Sequence, residues 1–151
     1  CVFEKISRNL FAIGSEVSGG VRNVFMEKCR LARGLRGIYV KSNSARGGVL
    51  ENLYFRDLDI ADVRQPVIRI GMDYGGEKGN FPPVFRNFHF DNIRAKGAEL
   101  ALEITGLPES AVENVIFRNC AFDEVRGPNR MRHARGLRFD GVTINGSKVE
   151  S

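Results

Sequence analysis

Apolar and polar positions recur along the chain in five eleven-residue segments of one register: VRNVFMEKCRL from Val21, LENLYFRDLDI from Leu50, FRNFHFDNIRA from Phe85, VENVIFRNCAF from Val112 and ARGLRFDGVTI from Ala134. Each opens on an apolar or small residue, then a polar one, then Asn, except that Gly136 takes the third place in the last. Apolar residues follow at the fourth, sixth, ninth and eleventh places, which in the first segment are Val24, Met26, Cys29 and Leu31. Successive segments start 29, 35, 27 and 22 residues apart. Alternation between the fourth and sixth places has the two-residue period of a strand. Its resumption at the ninth and eleventh after an offset predicts a corner and a second short strand.

Between the segments lie further β-rich runs, NLFAIGSE, RGIYVKSN, QPVIRIGM and AELALEITG, and no stretch of ten or more residues has a convincing helical stripe. Several short strands per irregular period, with Gly, Asn and Asp at the corners, predict an all-β right-handed parallel β-helix. Residues 1–151 are expected to form a single such domain. One coil cannot bury its inward side chains, whereas stacked coils share hydrogen-bond ladders and one apolar column. The recurring Asn23, Asn52, Asn87 and Asn114 belong at a turn, bonding local backbone or forming a ladder along the axis.

The same register absorbs the cysteines. Cys29 and Cys120 fall at the ninth place, and CVF at the N-terminus matches CAF at Cys120, which puts Cys1 and Phe3 at the ninth and eleventh places of an earlier unit. All three cysteines are expected as small core residues and not as a disulfide pair. A lipoprotein also starts at Cys, but such a start has no reason to fall in repeat register, so the chain is expected to be the C-terminal portion of a longer β-helix.

Composition narrows the partners. Net charge is +5, and 17 of the 23 basic residues are Arg, whose planar fork suits carboxylates. The basic residues are scattered with no basic run, which argues against nucleic acid. No apolar run approaches the roughly 18 residues of a membrane span. Three cysteines without a C-x-x-C and two distant histidines, His89 and His133, offer no zinc site, and no cofactor is expected.

The motifs FAIGSEVSGGVRNVFMEKC, RGIYVKSNSARGGVLENLYFRDLDI, PVIRIGMDYG and ELALEITGLPESAVENVIFRNC closely resemble, in order and spacing, the C-terminal half of glycoside hydrolase family 28, the polygalacturonase-like pectinases. The resemblance runs from about Cys1 to Ile144 and implies a pectin-lyase-like solenoid, extracellular or periplasmic. It also implies inverting hydrolysis of α-1,4 links between galacturonic acid residues in an acidic polysaccharide or oligosaccharide. Such chemistry sets one carboxylic acid on the leaving oxygen and a second carboxylate on the attacking water, about 6.5–9.5 Å apart.

The family's aspartates lie in Asn-Thr-Asp and Asp-Asp motifs, and this sequence contains neither. Where a Gly-His-Gly motif is expected, the chain reads ISRNLFA, with Ser7, Arg8 and Asn9, and no histidine precedes Ile13. No catalytic residue is therefore assigned, and the chain alone is expected to lack hydrolase activity. The substrate-holding wall matches better. Lys41 in RGIYVKS aligns with the lysine of an Arg-x-Lys motif that meets the sugar carboxylate, while Tyr39 replaces its arginine and Arg36 lies three residues earlier. Tyr74 in GMDYG matches a sugar-contacting tyrosine, Gly14 and Ser15 match the loop after the histidine, and Arg8 is a cationic replacement at the histidine's place.

The remaining candidates read as structural. Asp57 and Asp59 flank inward-facing Leu58 and are expected to be solvated, His89 points outward between Phe88 and Phe90, and His133 lies in a polar loop. GEKGNFPP reads as a long corner loop beside the cleft. The rival function is a non-catalytic β-helix that binds acidic polysaccharide or serves a structural role. An exposed coil edge with unpaired strands predicts self-association.

Overall fold

The computed structural model describes all residues, Cys1–Ser151. In chain order its strands are β1 Val2–Phe3, β2 Asn9–Ile13, β3 Val21–Leu31, β4 Arg36–Lys41, β5 Val49–Ala61, β6 Ile68–Gly71, β7 Val84–Ala98, β8 Leu102–Thr105, β9 Val112–Arg118, β10 Ala121–Val125, β11 Arg130–Arg132, β12 Ala134–Asp140, β13 Thr143–Ile144 and β14 Ser147–Lys148. Long and short strands alternate and stack in parallel into two sheets. The larger joins β1, β3, β5, β7, β9, β10, β12, β13 and β14, and the smaller runs β2-β4-β6-β8-β11. Each coil contributes one rung to both, so the chain is a parallel β-helix, wound in the right-handed sense of nearly all parallel crossovers.

The register is the one the repeats predict. Val21 pairs with Leu50, Leu50 with Phe85, Phe88 with Val115, and Ala134 with Val112. Cys1 follows suit, because Val2 pairs with Arg30 and Phe3 with Leu31. The second-sheet runs also pair as expected, Ile38 with Ile68 and Ile68 with Leu102. The strand RMR over Arg130–Arg132 extends that sheet without having been anticipated.

The long strands correct one expectation. The third and eighth places of each segment are left-handed, at Asn23 and Lys28, Asn52 and Asp57, Asn87 and Asn92, Asn114 and Asn119, and Gly136 and Gly141. Instead of a corner and a separate strand, the first three coils each carry one continuous strand, bent at these two points, that wraps two sides of the core. Asn and Gly tolerate positive φ, which explains most of these positions. Side-chain amides then chain along the axis: Asn114 Nδ2 donates to Asn87 Oδ1 at 2.6 Å, and Asn87 Nδ2 to Asn52 Oδ1 at 3.3 Å. A parallel ladder at the eighth place has Asn92 Nδ2 donating to Asp57 Oδ1 at 2.7 Å.

Inside, the sixth place forms a column of stacked rings. Phe55, Phe90, Phe117 and Phe139 follow one another with centroids 5.0, 5.0 and 5.2 Å apart and near-parallel planes. Phe55, Phe90 and Phe117 are essentially fully buried, in an apolar cluster of 32 residues that joins the two sheets. Cys120 lies in this core, and burial pushes its thiol up to about 11. Cys1 is exposed on the outermost coil and Cys29, on the next one and covered only by two-residue β1, is half-buried; all three are free thiols. At the far end a tight turn at Asn145 and Gly146, both at positive φ, folds β14 antiparallel onto β13 and covers that edge.

Outside the larger sheet, charge alternates in sign from coil to coil. The second place reads Arg22, Glu51, Arg86, Glu113, Arg135, and the seventh reads Glu27, Arg56, Asp91, Arg118, Asp140. Arg22 and Arg86 grip Glu51 at 3.1 and 2.7 Å, Arg56 meets Glu27 at 2.6 Å, and Arg135 binds Glu113. Between these rows Phe25, Tyr54 and His89 stack face to face at 4.8 and 5.0 Å. Asp57 and Asp59 are exposed on either side of buried Leu58.

Candidate functional site

Outward from the smaller sheet the pattern changes. Ile38 and Val40 of β4 point inward and are fully buried, so Tyr39 and Lys41 share the outer face. Strict alternation would put Arg36 on the opposite face from Tyr39. Gly37 breaks it: a side chain there would meet Ile60 Cδ1 at 2.7 Å, so residue 37 itself faces the core. Arg36 therefore emerges beside Tyr39, its guanidinium 4.7 Å from the ring centroid. On the next coil Arg69 pairs in register with Tyr39 and sets a second guanidinium 5.1 Å from the same ring.

Lys41 completes the group. Its ammonium stands 4.4 Å from the Tyr74 centroid and 5.1 Å from that of Tyr39, and the two rings meet edge to face at 6.4 Å. Gly14, Ser15, Glu16, Lys41 and Tyr74 line an open recess of about 310 Å³. Gly14 has φ +102°, and a Cβ on it would sit 1.9 Å from the Lys41 carbonyl oxygen, so only glycine permits this approach.

The loops that present Tyr74 and Ser15 are pinned by buried polar groups. Asn43 is fully buried; its Nδ2 donates to the Tyr74 carbonyl at 2.8 Å, and its Oδ1 accepts from the backbone of Ala45 and Arg46 at 3.1 and 3.0 Å. The Tyr74 amide donates to the Ser42 carbonyl at 3.2 Å. Arg46 donates to Ser15 Oγ at 2.6 Å and lies 3.8 Å from Glu16 and 3.7 Å from Glu77. The GEKGNFPP loop docks on the same segment, Phe81 N donating to the Ser44 carbonyl at 2.8 Å.

Burial sets the protonation of the centre. It pushes the Tyr39 phenol above its ordinary value, against the pull of Arg69 and Arg36, so this residue is a neutral platform. Arg36 is lowered from its ordinary value, first by burial and then by the like charges of Arg69 and Arg8, with Tyr39 and Glu103 opposing. Its Nε is buried with no hydrogen-bond partner, while Nη1 reaches Asn9 Oδ1 at 3.3 Å.

Of the residues singled out in the sequence, Lys41, Tyr74, Gly14 and Ser15 meet in one recess, and Arg36 joins them across Tyr39. Arg8 is exposed just before β2 and holds the neighbouring coil through its backbone, its carbonyl accepting from Leu35 and Arg36 at 2.8 and 3.3 Å. Two cations were missed. Arg69 was within reach, since aligning PVIRIG on RGIYVK places it beside Tyr39, whereas Arg46 reaches the recess only through a loop. The carboxylates nearby are committed to guanidinium groups: Asp73 and Glu103 to Arg69 at 3.7 and 3.4 Å, Glu16 and Glu77 to Arg46. The arrangement gathers cations over two tyrosine rings, with no two carboxylates facing each other unpaired.

No family model matches the chain. Among curated proteins, a probable polygalacturonase of Vitis vinifera is 24% identical over 115 residues, covering 73% of this chain and 23% of that protein. A polygalacturonase of Ralstonia nicotianae is 29% identical over 123 residues, covering 70% of this chain and 23% of that protein. The crystal structure of a hyperthermoactive exopolygalacturonase from Thermotoga maritima superposes with a TM-score of 0.92 at 30% identity, over 99% of this chain and 35% of that one. The chain thus spans about a quarter of the length of the curated relatives it matches.

Proposed function

This chain is a polygalacturonase-like β-helix in sequence and fold, and we propose that it forms the substrate-holding wall of a pectin-degrading, inverting glycoside hydrolase. The observation that carries the reading is the Lys41 ammonium poised over both Tyr74 and Tyr39 in a recess floored by Gly14 and Ser15. A galacturonate ring brings a carboxylate and an apolar ring face together. Lys41 pairs with the carboxylate, Tyr74 packs on the ring, and Arg36 and Arg69 flank Tyr39 where an adjoining sugar's carboxylate would lie. Two arginines beside a neutral phenol thus take over the role of the family's arginine at position 39.

One observation favours a second reading, a non-catalytic module for acidic polysaccharide. The carboxylates of the site are ion-paired, and Ser7, Arg8 and Asn9 stand where the family has histidine. Both readings require galacturonate binding by these residues; they differ in turnover. Calorimetric titration with tetragalacturonate should give saturable binding that Lys41→Met weakens about tenfold or more. Equal affinity of the two proteins would sink the assignment of the recess. Reducing ends released from polygalacturonate by the 151-residue chain would show that hydrolysis needs no carboxylates beyond its own.

A further inference from the structure

At the opposite end of the smaller sheet's strands, where the chain turns from the larger sheet into β4 and β6, lies a second and roomier depression of about 580 Å³. Four cations surround it, Lys5, Arg33, Arg64 and Arg126, one from each of four coils, against a single carboxylate, Asp62. None of the four cations takes part in an ion pair within the chain, unlike the arginines at the second place of the larger sheet. The floor is bare because the backbone comes close there. Gly34 is buried between coils, with Ile6 Cγ1 3.0 Å from where a Cβ would stand, and Gly97, at φ +88°, would meet Asp62 Oδ1 at 3.0 Å. The cations span four coil steps, about 19 Å at the usual strand spacing, which suits a chain and not a single ion.

We propose that this corner is a second binding site for a carboxylate-bearing polysaccharide, separate from the Lys41 recess. The residue chemistry selects the ligand class. Arg and Lys pair with carboxylates spaced along a polymer, and Asp62 accepts hydrogen bonds from sugar hydroxyls. The depression has no aromatic side chain on which a nucleobase could stack, which disfavours single-stranded nucleic acid. Identifying the polymer as a polygalacturonate rests on the function proposed above; the site itself does not. Its role is to tether a polymer whose other segment occupies the recess, raising effective concentration there.

The test is calorimetry and affinity electrophoresis of the full chain with polygalacturonate, comparing wild type, Lys41→Met, and the triple variant Arg33→Ser/Arg64→Ser/Arg126→Ser. These three arginines are exposed, so the triple variant should keep the wild-type circular dichroism. The expected result is about tenfold weaker polymer binding by the triple variant, the sum of three exposed cation–carboxylate contacts, with a shallower salt dependence. Digalacturonate, confined to the recess around Lys41 and Tyr74, should still titrate that variant. Unchanged polymer affinity in the triple variant overturns the corner site while leaving the recess intact. Loss confined to Lys41→Met does the same, and loss confined to the triple variant supports the corner while sinking the recess. Equal retardation by poly(dT) or dextran sulfate overturns the assignment to a carboxylated glycan.

Discussion

The two sheets both carry charges on their outer faces and use them in different ways. On the larger sheet every second-place arginine has a glutamate on an adjoining coil, and the ion pairs run along the axis as rungs. On the smaller sheet Arg69 has such a partner in Glu103, but Arg36 and Lys41 have none, and the three converge over two tyrosine rings, with Arg46 anchoring the wall behind them. Both faces stand on the same core and the same coil spacing. Fold alone therefore does not dictate the cation cluster. A charge that meets its opposite on the next coil needs no ligand, whereas like charges held together over aromatic faces are stabilised when an anion arrives.

The largest effect should come from the support the two faces share. Phe90 sits at the centre of the ring column, between Phe55 and Phe117. Phe90→Ala should cost about 3–5 kcal/mol by urea denaturation and weaken sugar binding along with stability. Retention of full stability would mean that the column is not the common foundation. A smaller effect separates the faces. Glu51, shielded between Arg22 and Arg86, is predicted on replacement by Ala to lose about 1 kcal/mol and to leave tetragalacturonate affinity unchanged, the reverse of Lys41→Met. A binding defect in Glu51→Ala would erase the distinction.

The smallest effect concerns His89, stacked on Tyr54 on the larger sheet. Burial lowers its proton affinity below the ordinary 6.5, with Arg118 acting the same way and Asp91 opposing. Between the folded value and 6.5 the unfolded chain binds more protons, so stability is full above 6.5 and declines as pH falls through that window. His89→Gln should flatten this slope, as thermal melts across the window would show, without affecting the recess.

The fold was legible because its determinants repeat. Alternation at the fourth and sixth places and the third-place Asn fixed the pairing of Val21, Leu50, Phe85, Val112 and Ala134 to the residue. The eighth-place corner was legible from the offset before the ninth place, but not its passage within one continuous strand, because Lys28, Asp57, Asn92, Asn119 and Gly141 share a left-handed backbone while their side chains vary. At the site, Lys41, Tyr74, Gly14 and Ser15 were recognisable from motif resemblance. Arg36 reached Tyr39 only because Gly37 slips the alternation, and Arg46 arrives through a loop whose course depends on buried Asn43. Residues that act through stacking or loop closure leave little trace in linear spacing.

The charge rungs have a consequence for the order in which the coils stack. Each row alternates, so coils two apart carry the same sign: Arg22 and Arg86 in one row, Glu27 and Asp91 in the other. A pairing that skipped a coil would place arginine on arginine and carboxylate on carboxylate, about 4.8 Å apart. Glu51→Arg puts three like charges in succession and should lower the urea midpoint further than Glu51→Ala; equal losses would overturn this reading. In this chain the sign of a side chain acts as a parity check on the sequence of its coils.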